Sequence, residues 1–252
     1  SQSDTPTPEK NSSEATILES GTADIAVDIG YVERVNFALE HNGVPVISRM
    51  VVSNNGDLSY SMLEIEFKID AGGVEDNEFA EPYIVRLAEL TPGQTLKFNE
   101  IGLRLKLGAM VRLDEETAGR ITAVASCGGQ EVGVWHFPMA LLAYNEWNAT
   151  CGNNEILAAH VQPNHPAVSE IMRETGDILQ RTTGSKSIDA YQSGPERDIQ
   201  IGGAIFAALV GRNIGYINPP ASFEITGQKI RTPDAVIDGK LGTCIDLACT
   251  YA

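Results

Sequence analysis

No stretch of the 252 residues approaches the roughly 20 consecutive apolar positions that a helix needs to span a bilayer, so no membrane-spanning segment is expected. No Lys/Arg cluster or basic stripe offsets the acidic composition, in which 34 Asp and Glu face 18 Lys and Arg for a formal net charge of −16. Such a field repels phosphate backbones, so direct nucleic-acid binding by this piece is not expected, whereas a basic protein surface fits the charge. Cysteine is scarce: Cys127, Cys151, Cys244 and Cys249 form no CxxC pair and no zinc-type spacing. No Walker motif, metal constellation or dinucleotide fingerprint is present, and no metal or cofactor is expected. No signal-like apolar segment opens the chain, so a reducing cytoplasm is the expected compartment. In that setting the sequons Asn11-Ser12-Ser13 and Asn148-Ala149-Thr150 read as chance matches.

What is present is ordinary for a globular protein: 42% hydrophobic and 21% charged residues, in a length that allows two compact units. The acidity sits mainly in front, with 23 acidic and 10 basic side chains in residues 1–149 against 11 and 8 in residues 150–252. Residues 1–22 are rich in Ser, Thr, Pro and Glu and predict a disordered tail. The missing initiator Met and a last residue inside an apparent helix suggest a piece of a longer protein.

From residue 23 to about 142 the pattern is short alternating or β-branched runs divided by turn signals. Strands are predicted over 25–35, 44–53, 63–69, 83–90, 95–98, 103–107, 121–126 and 132–142. Turns are predicted at Asn54-Asn55-Gly56-Asp57, Thr91-Pro92-Gly93 and Gly128-Gly129, and one helical turn over 114–119. Strands this numerous and close imply an antiparallel, immunoglobulin-like β-sandwich over residues 23–147. Trp135, Tyr144 and Trp147 flank the expected junction, either as packing anchors or as a ligand-stacking platform.

Residues 148–252 read as helical. Helices are predicted over 154–159, over 166–183 with a cap from Asn164, Pro166 at its start and Gly184 at its end, and over 199–209 as a buried helix. An irregular stretch, 216–238, follows; segments of that length inside compact domains are often functional. His41, His136, His160 and His165 read as structural or exposed.

Gly242-Thr243-Cys244-Ile245-Asp246-Leu247-Ala248 places a cysteine after a Gly-bearing loop at the start of an apolar helix. Free backbone N–H groups and the positive end of the helix dipole favour a thiolate there and offer an oxyanion site. A small apolar-flanked cysteine that is buried and inert is the competing reading. Asp246, two residues on, reads as first-turn dipole compensation.

The segment resembles the cysteine motif of the transglutaminase-like superfamily, and Cys244 falls on that family's nucleophile. Together with Asn164-His165-Pro166-Ala167-Val168, the run Ile217 to Glu224 and the run Thr226 to Arg231, it resembles a group of very large bacterial helicase-related proteins. These carry an amino-terminal domain of unknown function, a superfamily-1-type helicase core and often a nuclease-like domain. The resemblance covers roughly residues 31–252. It implies an α+β fold whose second half, residues 148–252, is a partial transglutaminase-like, papain-like α/β unit. The superfamily's His and Asp or Asn lie downstream of its cysteine, and only eight residues follow Cys244 here. This piece is therefore expected to be an inactive interaction or regulatory module, with a protein partner or the parent's own downstream domains as ligand. Cysteine-dependent acyl transfer or peptide hydrolysis in the parent is the alternative. Gln228, Lys229 and Arg231 are candidate substrate-binding residues; the loop holding them reads equally as a wrap over the core.

Overall fold

The computed structural model describes residues 17–21, 24–71, 79–147, 154–189, 194–221 and 227–252. The chain is mixed α+β and divides into two compact units, residues 1–144 and 145–252.

The first unit is built on two sheets. One has the order β1 (Ile17–Gly21), β9 (Gln130–Leu141), β8 (Thr117–Cys127), β5 (Tyr60–Ala71), β6 (Tyr83–Leu90), with β3 (Arg34–Val35) running parallel to the end of β9. The other has the order β2 (Ile25–Tyr31), β4 (Ile47–Asn54), β7 (Thr95–Phe98), all antiparallel. Period-two alternation dictates the core: Leu63, Ile65, Phe67 and Ile69 of β5 are buried, and the polar residues between them face outward. The sheets touch where the Tyr31 ring meets Phe137 edge-on at 5.9 Å and its hydroxyl donates to the Pro138 carbonyl at 2.9 Å. Gly128 and Gly129, with φ of 58° and 81°, form the tight β8–β9 turn that only such residues enter cheaply. Two short helices, α1 (Phe37–His41) and α2 (Leu107–Met110), complete the unit; Glu40 of α1, buried, accepts from the Leu105 N–H at 3.0 Å and pairs with Arg104 at 2.7 Å.

The second unit packs α3 (Pro166–Thr183) against α4 (Pro195–Gly211), followed by α5 (Pro233–Ile237) and α6 (Cys244–Tyr251). A 3-10 helix, Asn154–His160, precedes them. Ile171 and Leu179 of α3 meet Ala208 and Ile201 of α4 in two small apolar clusters, with Ile237 closing the first. Arg197, buried on α4, donates to Thr183 Oγ1 at 2.8 Å and to the Ser185 and Ser187 carbonyls, tying the end of α3 to α4. Two short ladders frame the unit: β10 (Glu146–Trp147) with β12 (Gln228–Lys229), antiparallel, and β11 (Gly215–Tyr216) with β13 (Leu241–Gly242), parallel.

Several expectations are corrected. Residues 17–21 are a strand on the edge of β9, so the proposed tail does not extend to 22. Residues 114–119 hold no helical turn, since strand β8 begins at Thr117; the predicted strand 103–107 is reduced to a bridge between Leu105 and Ala80, and helix α2 begins at its last residue, Leu107. Trp135 is a core residue of the first unit, 3% exposed, and Trp147 belongs to the second through its pairing with Gln228. His165 itself, not Asn164, caps α3, its Nδ1 accepting from the Ala167 N–H at 3.2 Å. The stretch 216–238 contains α5 and β12. The tail over 1–16, both sequons, Cys151 and Phe223 lie outside the described residues.

Candidate functional site

Cys244 is the first residue of α6 and is exposed. Thr243 caps the helix, its Oγ1 accepting from the Asp246 N–H at 3.4 Å while Asp246 Oδ2 accepts from the Thr243 N–H at 2.9 Å. This reciprocal capping box satisfies two end groups and fixes the turn that presents the thiol.

The Asp246 carboxylate does more than balance the dipole. It is 0% exposed and also accepts from the Arg231 N–H at 2.8 Å and from Arg231 Nη1 at 2.9 Å. A buried carboxylate needs such donors, because burying a charge without them is strongly unfavourable. The segment after β12 is thereby bolted to the start of α6. On the other side, β11–β13 pairing and the Ile217 N–H to Gly242 carbonyl bond, 3.0 Å, hold the approach to Cys244. Asn213 and Lys240, each at φ 54°, enter these two strands in the left-handed conformation, which costs a non-glycine residue about 1–2 kcal/mol.

Cys244 opens onto a groove of about 670 Å³ between α4 and α6, walled by Phe206, Leu209, Val210, Leu247 and Tyr251. Tyr251 reaches across, its hydroxyl donating to the Gly202 carbonyl at 3.1 Å. The expectation that α4 is buried is only half met. Its face carrying Ile201, Ala204 and Ala208 packs inward, but Ile199, Phe206 and Val210 are 76%, 62% and 58% exposed. A helix apolar all round carries no sequence signal for which face meets solvent, which is why the groove walls went unrecognised.

The predicted substrate-binding residues lie elsewhere. Gln228 is buried at 6% exposure opposite Trp147, Lys229 pairs in register with Glu146, and the Arg231 guanidinium is held by Asp246. None of the three lines the groove among its described walls. Nor does a histidine. His41 stacks on Phe37, His136 contacts the Thr122 hydroxyl at 3.2 Å, and His165 combines its capping role with Nε2 3.3 Å from Asp234 Oδ1. Asp234 is held below the usual carboxylate range first by its hydrogen bond with Thr232. The groove therefore offers a thiol and an apolar wall, without a proton acceptor among the described residues.

Burial pushes the Cys249 thiol up, reinforced by Asp246, so it stays protonated and serves as an inert internal reference for Cys244. Burial pushes His160 down, so its imidazole is held neutral. The unfolded chain, with an ordinary imidazole near ~6.5, binds the proton first. Stability contributed by this neutral histidine is present above pH ~6.5 and lost as pH falls below it. Urea midpoints of the second unit are accordingly expected to drop from pH 7 to pH 5, with the drop reduced in His160→Gln; an unchanged drop would assign the acid sensitivity elsewhere.

Among the described residues no group of three or more His, Cys, Asp or Glu is placed to hold a metal ion, and no helix is long and apolar enough to cross a membrane. A scan of family models and a search of curated proteins find no match to this chain.

Proposed function

We propose that this chain is a protein-interaction module whose contact surface is the apolar α4–α6 face around Cys244. The observation that carries the reading is the exposure of Ile199, Phe206, Val210 and Tyr251 on one side of a unit that buries only nine apolar residues among those described. Exposed large apolar patches mark binding sites, because leaving such side chains in water forgoes about 1.5–3 kcal/mol each.

The immunoglobulin-like reading of the first unit belongs with this proposal. Its support is the strand order: hairpins β5–β6 and β8–β9 share one sheet, β4 and β7 pair in the other, and β3 runs parallel to β9. On this reading the module is cytoplasmic and, following the four-segment resemblance, forms the front of a helicase-related parent whose downstream region is its partner. Hydrogen exchange tests this: adding that region should slow exchange in α4 and α6 and leave β5 and β8 unchanged. Unaltered exchange in α4 and α6 would reject it.

The second reading, cysteine-dependent acyl transfer in the parent, is favoured by one observation, the exposed thiol at the mouth of the groove. It requires the missing base to come from outside the described residues.

A further inference from the structure

We infer that Asn55, in the turn between β4 and β5, is a site of spontaneous covalent modification, at which the folded chain converts its own asparagine through a cyclic imide into aspartyl and isoaspartyl residues. The inference is independent of the interaction reading above and concerns a turn to which that reading gives no role.

The chemistry is intramolecular. The Gly56 backbone nitrogen gives its proton to hydroxide and attacks the Asn55 side-chain carbonyl carbon. The new C–N bond closes the imide, the bond from that carbon to the amide nitrogen breaks, and the nitrogen leaves as ammonia with a proton taken from water, which regenerates hydroxide. Water then opens the imide at either carbonyl. Cleavage at the side-chain carbonyl gives aspartate, and cleavage at the backbone carbonyl reroutes the main chain through the side chain as isoaspartate. Glycine obstructs such an attack least, because it carries no Cβ.

The sequence offers two such pairs, Asn42-Gly43 and Asn55-Gly56. Both asparagines are exposed, so access does not separate them. Hydrogen bonding does. At the end of α1 the Asn42 carboxamide donates to the Ala38 carbonyl at 2.8 Å, and the Gly43 N–H donates to the Glu40 carbonyl at 3.0 Å. The attacking and the attacked groups are thus both held, and two bonds must break before they meet. At Asn55 the main chain is anchored, its N–H donating to the Asp24 carbonyl, while among the described residues no partner holds its carboxamide. Only the attacking nitrogen is held, the Gly56 N–H donating to Asn54 Oδ1 at 3.0 Å. At the usual net worth of one hydrogen bond, the additional bond slows Asn42 about 5-fold relative to Asn55.

Conversion places a carboxylate beside Asp57 in sequence and near Asp24, whose side chain lies so close to Gly56 that a Cβ there would fall 2.5 Å from Asp24 Cγ. Each converted molecule gains a negative charge and separates from the parent form by anion exchange.

Ageing the 252-residue chain in mildly alkaline heavy-oxygen water, folded and in urea, tests the proposal by peptide mapping with fragmentation that distinguishes isoaspartate. In the folded chain Asn55 should convert about 5-fold faster than Asn42, with heavy oxygen in both the aspartyl and the isoaspartyl product, and in urea the two rates should converge. Asn55→Gln, whose longer side chain must close a larger ring, should lose most of the acidic fraction and leave conversion of Asn42 unchanged. Equal conversion of the two asparagines in the folded chain, faster conversion of Asn42, or an acidic fraction that persists in Asn55→Gln overturns the proposal. So does a folded chain that stays unconverted at Asn55 while the chain in urea reacts there.

Discussion

Asp246→Ala is expected to destabilise the second unit by about 3 kcal/mol, because it removes the shared acceptor of three hydrogen bonds, each net worth about 1 kcal/mol or more. The carboxylate is fully buried and serves three donors: the Thr243 N–H, the Arg231 N–H and the Arg231 guanidinium. Removing it opens the capping box, frees the end of β12 and leaves the buried Thr243 N–H and the Arg231 N–H without their acceptor. Arg231→Ala should cost less, about 1–2 kcal/mol, because both backbone donors remain on the carboxylate and the guanidinium is 42% exposed. Hydrogen exchange of α5 and α6 under mild urea reads both variants in the unit concerned. Equal losses would show that Asp246 acts only through Arg231.

Asn54→Ala is expected to cost the first unit about 2–3 kcal/mol, visible as an early urea transition in exchange of β4 and β5. The side chain, 1% exposed, donates to the Leu58 carbonyl at 2.7 Å and the Leu90 carbonyl at 3.1 Å, and accepts from the Gly56 N–H at 3.0 Å. It thus folds the turn after β4 and joins it to the end of β6. Truncation strands buried backbone groups, each carrying a desolvation penalty of about 1–3 kcal/mol. Asn54→Asp keeps an acceptor for the Gly56 N–H but sets its other oxygen against the Leu58 and Leu90 carbonyls, so it should cost at least as much as alanine.

How much of this was legible depends on how local the determining physics is. Helix α3 over Pro166–Thr183 was readable because Pro at its first position, periodic Ile171 and Leu179 and a left-handed Gly184 at φ 77° act within one element. Strands Tyr83–Leu90 and Thr95–Phe98 were readable because alternation and the Thr91-Pro92-Gly93 turn are local too. The α2 helix was missed because Leu103 and Leu105, buried against the rest of the unit, give residues 103–107 the pattern of a strand. Strand β1 was missed because its partner, β9, lies more than a hundred residues away, and polar composition outweighed the short alternating run.

The site divides in the same way. Cys244 at a helix start was visible, since the loop, cap and apolar helix are contiguous in sequence. The bond from Asp246 to Arg231 was not, because a capping residue and a loop arginine carry no mark of their meeting. The exposed side of α4 was equally hidden: Ile199, Phe206 and Val210 are as apolar as Ile201 and Ala204 on the packed side.

The most direct test of the central claim is the alkylation rate of Cys244, followed by intact-protein and peptide mass spectrometry with the buried Cys249 as reference, before and after adding the downstream region of the proposed helicase-related parent. An interaction surface predicts that Cys244 reacts readily in the isolated chain and is shielded on addition, while Cys249 stays unlabelled throughout. Acceleration of Cys244 labelling on addition, or an acyl adduct on Cys244 from a glutamine-containing peptide, would contradict it and show that the added region completes a catalytic centre.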